Sequence, residues 1–268
     1  MSLPISPAGR SYGCIQNVPD KRDKVMRFAA GKSLPPLAIL SGWLGPVRDQ
    51  GQEGSCVGHG WVSAADWLFR KYGRHHYATD LSPQFVYYKC REMDGTLPDD
   101  AGSQVRTGAK VFNQFGVCLE SLAPYRPDTM NTAPSPVAMY NALFYKGGAY
   151  HSLPTLYDMK CCIADKCPYP FVDGIPVYES FESQAVADSG EVPMPEPGES
   201  LLGYHCTMTY GFYDHHKNLD GSYGAIKKRN SWGKDWGLKG DCWMPYAYVN
   251  QYLTDATILH LGPAWVPK

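Results

Sequence analysis

A thiol works as a nucleophile only as a thiolate, and its ordinary pKa of about 8.5 leaves little of that form at neutral pH without positive charge nearby. Cys56 is placed to find some. It follows the glycine-rich loop Gln50-Gly51-Gln52-Glu53-Gly54-Ser55, and the apolar residues Val57, Trp61, Ala64, Ala65 and Leu68 then recur at helical spacing through Phe69. The thiol thus sits at a predicted helix N-terminus, where the macrodipole and free N–H groups favour an anion. A histidine alongside would complete an ion pair and carry the proton. Of eight histidines, His205 stands out, because Gly203 to Phe212 reads as a strand that can aim a side chain rigidly. Twenty-five residues on, the run Lys228-Arg229-Asn230-Ser231-Trp232-Gly233-Lys234-Asp235-Trp236-Gly237 brings an amide that can fix an imidazole tautomer and an indole that can exclude water. His59, three residues after Cys56, competes as the base, but a helix neighbour is poorly placed opposite an incoming carbonyl. The alternative for Cys56 is a buried inert thiol.

The elements that must position these groups divide by type. Gly58 and Gly60 are poor helix formers, so tertiary packing must hold the Cys56 helix, which reads as buried and central. Ser82-Pro83 opens a second helix as N-cap and first helical residue. A third runs from near Ser103 to Gln114, ended by Phe115-Gly116. From about Tyr169 strands take over, over Phe171–Val177, Tyr204–Phe212, Tyr223–Arg229 and Asp241–Met244. Helices first and strands later predict an α+β fold of two lobes.

Three separated motifs together resemble the papain-like cysteine peptidases. The Gln50-Gly51-Gln52-Glu53-Gly54-Ser55-Cys56 segment is similar to that family's active-site segment, the Gly-x-His stretch with Gly211-Phe212 to its histidine strand, and Asn230-Ser231-Trp232-Gly233 with Trp236-Gly237 to its asparagine turn. The resemblance implies Cys56 as nucleophile, His205 as general base and acid, and Asn230 as the residue orienting His205. It also implies an oxyanion hole from Gln50 and the Cys56 backbone N–H, with Trp232 shielding the His-Asn pair. The implied fold has a helical lobe and a β-barrel-like lobe with the cleft between them. Ala101 and Gly102, within Asp100-Ala101-Gly102-Ser103, would offer backbone hydrogen bonds to a peptide, and Gly174 and Cys206 would line the side-chain pocket. The style is that of a bacterial or viral branch. Val57 stands where better-known members have Trp, and Glu53 where they have a disulfide cysteine, leaving a carboxylate near the site to repel acidic substrates or hold a loop.

The expected domains are an arm or short pro-segment over residues 1–33 and a peptidase domain over 34–268, with a helical lobe over about 45–130 and a β lobe over about 131–268. At about 3.3 Å per extended residue the arm can span a domain, and it is expected to lie over the cleft and inhibit. The expected activity is peptide-bond hydrolysis through a Cys-His-Asn triad and an acyl-enzyme thioester, by a monomer acting on a peptide or protein. The alternatives are a non-catalytic peptide-binding module and an acyl-transfer or isopeptide hydrolase with the same triad.

Composition narrows the rest. With 25 Lys plus Arg against 26 Asp plus Glu, no strongly basic face is expected and nucleic acid is not an expected partner. The longest apolar runs fall short of the roughly 18 residues of a membrane span. No signal peptide is visible, and nine cysteines lack a small-scaffold spacing, so intracellular synthesis with mostly reduced thiols is expected. Cys161-Cys162-x4-Cys167 lacks a paired C-x-x-C pattern and reads as structural; no metal or cofactor is expected. His75-His76 and His215-His216 read as solvated loop pairs.

Overall fold

The computed structural model describes residues 3, 5–73 and 79–261. The chain begins with the short strand β1 (Cys14–Ile15) and the strand β2 (Leu37–Ile39), which follows the Pro35-Pro36 stretch. Helix α1 (Cys56–Tyr72) is followed by α2 (Pro83–Asp94), whose Ser82 hydroxyl accepts from the Phe85 N–H at 3.0 Å as the sequence predicts. The third predicted helix starts two residues late. Ser103–Gln104 form strand β3, because the Ser103 N–H donates to the Gly13 carbonyl at 2.8 Å and β3 pairs in parallel with β1; α3 then covers Val105–Gln114.

Next come α4 (Pro136–Ala142), β4 (Gly147–Ser152), α5 (Leu156–Ile163), β5 (Phe171–Tyr178) and α6 (Gln184–Ser189). The remaining elements are β6 (Leu201–Lys217), β7 (Tyr223–Arg229), β8 (Asp241–Pro245), α7 (Tyr246–Tyr252) and β9 (Asp255–Leu261). The antiparallel sheet runs β4-β9-β5-β6-β7-β8, with β2 also on β6. Strand β6 outgrows the stretch predicted from its Thr, Tyr and Phe content because three partners hold successive parts of it: β5 along Leu201–Thr209, β2 along Gly211–Tyr213, and β7 from Met208 to Lys217.

Two apolar cores flank this arrangement. One gathers Trp61, Trp67, Phe85, Phe112, Ala138 and Leu259 around α1, and the other gathers Phe171, Phe181, Phe212, Trp236, Tyr248 and Ile258 on the sheet. The glycines of α1 are explained by close packing. A Cβ at Gly58 would lie 2.7 Å from the Pro83 carbonyl oxygen, and one at Gly60 would lie 3.0 Å from Cys206 Sγ. Helix propensity is thus given up so that α2 and the sheet can approach both sides of α1. Among the described residues, no helix is long and apolar enough to cross a membrane.

Two histidine expectations have different outcomes. His216 is part of β6 rather than a solvated loop; its Nε2 lies 2.8 Å from Glu191 Oε2 and its ring stacks on Trp243 with centroids 4.6 Å apart, so strand pairing has drawn it against the sheet. His75-His76 lies outside the described residues. Cys161 and Cys162 are buried on α5.

Candidate active site

Helix α1 begins at Cys56, which is fully buried. Its thiol lies against three backbone N–H groups, those of Cys206, Gly13 and Val57. The first belongs to the residue after His205 and brings the nucleophile candidate to the histidine strand. The second belongs to the N-terminal arm. Burial pushes the Cys56 thiol pKa up, and the neighbouring Cys14 thiol adds to the shift.

His205 is fully buried on β6, and its Nε2 lies 2.7 Å from Asn230 Oδ1. An amide oxygen only accepts, so Nε2 carries the proton of a neutral ring. Nδ1 then faces away from Asn230 with a free lone pair, and it has no hydrogen-bond partner among the described residues. Burial drives the His205 pKa down to about 4, against the upward pull of Asn230. Trp232 stacks on the ring at 5.0 Å with an interplanar angle of 30°, so indole and amide together cover one side of the imidazole. Burial thus favours a neutral imidazole and a protonated thiol in this conformation.

Gln50 is fully buried, and its loop is tied to the asparagine turn. The Gln50 N–H donates to the Ser231 carbonyl at 2.9 Å, and the Ser231 hydroxyl donates to Gln50 Oε1 at 2.6 Å. This second bond fixes the amide orientation, so that Nε2 donates to the Glu53 carbonyl at 2.9 Å and reaches the arm's Ser11 carbonyl at 3.4 Å. Tyr125 buttresses the same loop, its hydroxyl donating to the Gln50 carbonyl at 2.8 Å.

Two side chains near the nucleophile candidate, Glu53 and His59, are buried. Glu53 is not an exposed charge: both carboxyl oxygens are buried without a hydrogen-bond partner among the described residues, and burial, with Asp100 adding repulsion, raises its pKa to about 8. It is mostly protonated at neutral pH, which removes the proposed repulsion of acidic substrates. His59 is buried with Nδ1 3.1 Å from the Ser55 carbonyl and its ring edge-on to Tyr125, and burial lowers its pKa to about 3. Its ring is held by its own helix turn and not by the histidine strand.

The N-terminal arm packs against the residues named as site candidates. The Gly13 carbonyl takes the Ser103 N–H, and a Cβ at Gly102 would lie 2.7 Å from Gly13 Cα, so the Asp100-Ala101-Gly102 segment is in backbone contact with the arm. Cys14 Sγ rests 3.3 Å from the Cβ position of Gly174, which pairs in register with Cys206. Tyr12 is edge-on to His205 at 6.0 Å and donates its hydroxyl proton to Glu182. Arg10 pairs with Asp49 at 3.1 Å and lies over the Trp232 ring. Farther along, Asn17 Nδ2 donates to Asp255 at 2.7 Å, Arg106 pairs with Asp23 at 2.5 Å, and the Met26 N–H donates to the Ser152 carbonyl at 2.9 Å. Tyr12, Cys14, Ser231 and Tyr125 are the site residues that sequence reasoning passed over. Only Ser231, adjacent to Asn230, carried a local signal.

No protein-family profile matches the chain. Among solved structures it is similar to xylellain, a cysteine protease from Xylella fastidiosa, at 28% identity and TM-score 0.81, covering 94% of this chain and 96% of that one. The digestive procathepsin L 3 of Tenebrio molitor larval midgut is alike in fold, with TM-score 0.68 at 18% identity over 90% of this chain and 75% of that one. An uncharacterized peptidase C1-like protein of Acanthamoeba polyphaga mimivirus is 30% identical over 276 residues, which span 92% of this chain and 85% of the viral one. A likeness of that extent, on a two-lobed α+β fold shared with xylellain, makes this chain a member of the peptidase C1-like, papain-like cysteine peptidase family.

Proposed function

We propose that the protein is a cysteine peptidase with the triad Cys56, His205 and Asn230, held latent by its own residues 1–33. The observation that carries this reading is the 2.7 Å His205–Asn230 hydrogen bond beside a thiol at the start of α1. Asn230 keeps the proton of the neutral ring on Nε2 and leaves Nδ1 free to take the Cys56 proton. The Cys56 sulfur then attacks the peptide carbonyl carbon, and the carbonyl electrons move to oxygen. That oxyanion is received by the Cys56 backbone N–H and Gln50 Nε2, whose orientation Ser231 sets. Collapse to a thioester expels the amine, which takes its proton from His205. Water, deprotonated by His205, then hydrolyses the thioester and restores the thiol.

The arm opposes this cycle in two ways. It presents the Gly13 N–H to the sulfur, and the Gly13 carbonyl is engaged by the Ser103 N–H. It also buries both members of the ion pair, which disfavours their charged forms. A closed cleft equally suits a peptide-binding module without turnover. The test is hydrolysis of a panel of short fluorogenic peptides by the chain and by Cys56→Ala. Turnover that disappears in Cys56→Ala supports the reading. Absence of turnover in the chain even after the arm is displaced, with Cys56 no more reactive than an ordinary thiol, overturns it in favour of the binding module.

A further inference from the structure

The arm carries one cysteine, Cys14, and it is not placed at random. Its side chain enters the notch left by the missing side chain of Gly174, with Sγ 3.3 Å from that residue's Cβ position. Gly174 and Cys206 face each other across β5 and β6. Directly opposed residues in an antiparallel pair have Cβ positions about 4.5–5.5 Å apart on one face of the sheet. The Cys14 sulfur therefore lies on the sheet face that carries the Cys206 side chain, and strand β1 lies within 8 Å of β6 Cα to Cα. Both are buried, and the neighbouring Cys14 thiol adds to the rise that burial imposes on the Cys206 thiol pKa. Cys206 Sγ in turn packs against Gly60, one turn along α1 from Cys56.

We propose that Cys14 and Cys206 form a redox latch: a disulfide between them staples the arm into the cleft beside His205, and its reduction permits the arm to lift. This rests on the reading of the arm as the cleft's occupant. The chemistry is thiol–disulfide exchange with a low-molecular-weight disulfide such as oxidised glutathione. The Cys14 thiolate, exposed when the arm transiently lifts, attacks one glutathione sulfur and expels a glutathione thiolate. The Cys206 thiolate then attacks the Cys14 sulfur of the mixed disulfide and expels the second. The two protons lost by the protein thiols end on the two reduced glutathione molecules, so the exchange balances. Reduced glutathione drives the reverse. Cys56, which also neighbours Cys14, stays a free thiol in this proposal and returns to use when the arm departs.

The experiment equilibrates the full chain in buffers of oxidised or reduced glutathione, blocks free thiols, and maps linked peptides by mass spectrometry. Cys56 labelling by iodoacetamide is followed in parallel. The expected result is a Cys14–Cys206 linked peptide in the oxidised sample, with Cys56 labelling about tenfold or more slower than in the reduced sample, and no such difference in Cys14→Ser. A Cys14–Cys56 link, no link at Cys14, or equal labelling in both buffers overturns the latch. The peptide map is independent of any variant's folding. A reduced chain that labels at Cys56 yet hydrolyses no peptide would sink the peptidase reading instead, leaving the mapped disulfide to stand on its own.

Discussion

Alanine at Gly13 perturbs the arm without replacing any proposed catalytic side chain. A Cβ at that position would overlap the Gly54 carbonyl group and come within 2.8 Å of Gly54 Cα, all of it backbone in the loop that leads to Cys56. Backbone cannot swing aside as a flexible side chain does, so the arm must back away from the cleft. Forced overpacking of this kind costs about 1–3 kcal/mol. At about 2 kcal/mol the balance between closed and lifted arm moves roughly 30-fold. With the closed form dominant, kcat/KM on a short fluorogenic peptide and the rate of Cys56 alkylation should both rise by about 10–30-fold. Gly42→Ala, whose Cβ would meet nothing within 4 Å, serves as the control and should leave both rates unchanged. A Gly13→Ala chain that is folded yet turns over and labels at the wild-type rate would refute the claim that the arm controls access to Cys56.

Three further outcomes are expected. In the Gly13→Ala background, Gln50→Ala should lower kcat about 10²-fold with little change in KM, because the lost donor serves the oxyanion rather than the bound peptide; an effect confined to KM would contradict the role. The Glu53 carboxyl has a folded pKa of about 8, above its ordinary value of 4.5. Its contribution to stability is therefore full below about pH 4.5 and lost as pH rises through 8. Glu53→Gln should raise Tm more at pH 8.5 than at pH 5, by the equivalent of a few kcal/mol at most; an equal shift at both pH values would count against a buried, protonated Glu53. Lys228 and Asp173 form a fully buried pair at 2.6 Å, joined by Thr207 and Thr209. Lys228→Met leaves the Asp173 carboxylate uncompensated and should cost about 3–5 kcal/mol in denaturant unfolding; a loss below about 1 kcal/mol would mean that the pair is not the anchor of β5, β6 and β7.

Much of the candidate site is legible because its residues carry local signals. Cys56 is singled out as a candidate by a glycine-rich loop meeting a helical period, and His205 and Asn230 by a strand and a turn dense in glycine and tryptophan. The two-lobed α+β class followed from helices preceding strands, and the structures similar to this chain share it. What escaped depends on contacts distant in sequence. Nothing near Ser103 announces that Gly13 will claim its N–H and turn two helical residues into a strand. Glu53 reads as a charged carboxylate near the site until Tyr125 and Asp100 close over it, and His216 reads as loop until Trp243 and Glu191 draw it onto the sheet. Cys14 is one of nine cysteines in the sequence, and only the notch at Gly174 distinguishes it.

The most direct test of the central claim is the pH dependence of Cys56 alkylation by iodoacetamide in the Gly13→Ala chain, with and without His205→Ala. A working ion pair predicts rapid labelling of this one cysteine well below the ordinary thiol pKa of about 8.5, lost when His205 is replaced. Labelling that rises only near pH 8.5 and is indifferent to His205 would contradict it.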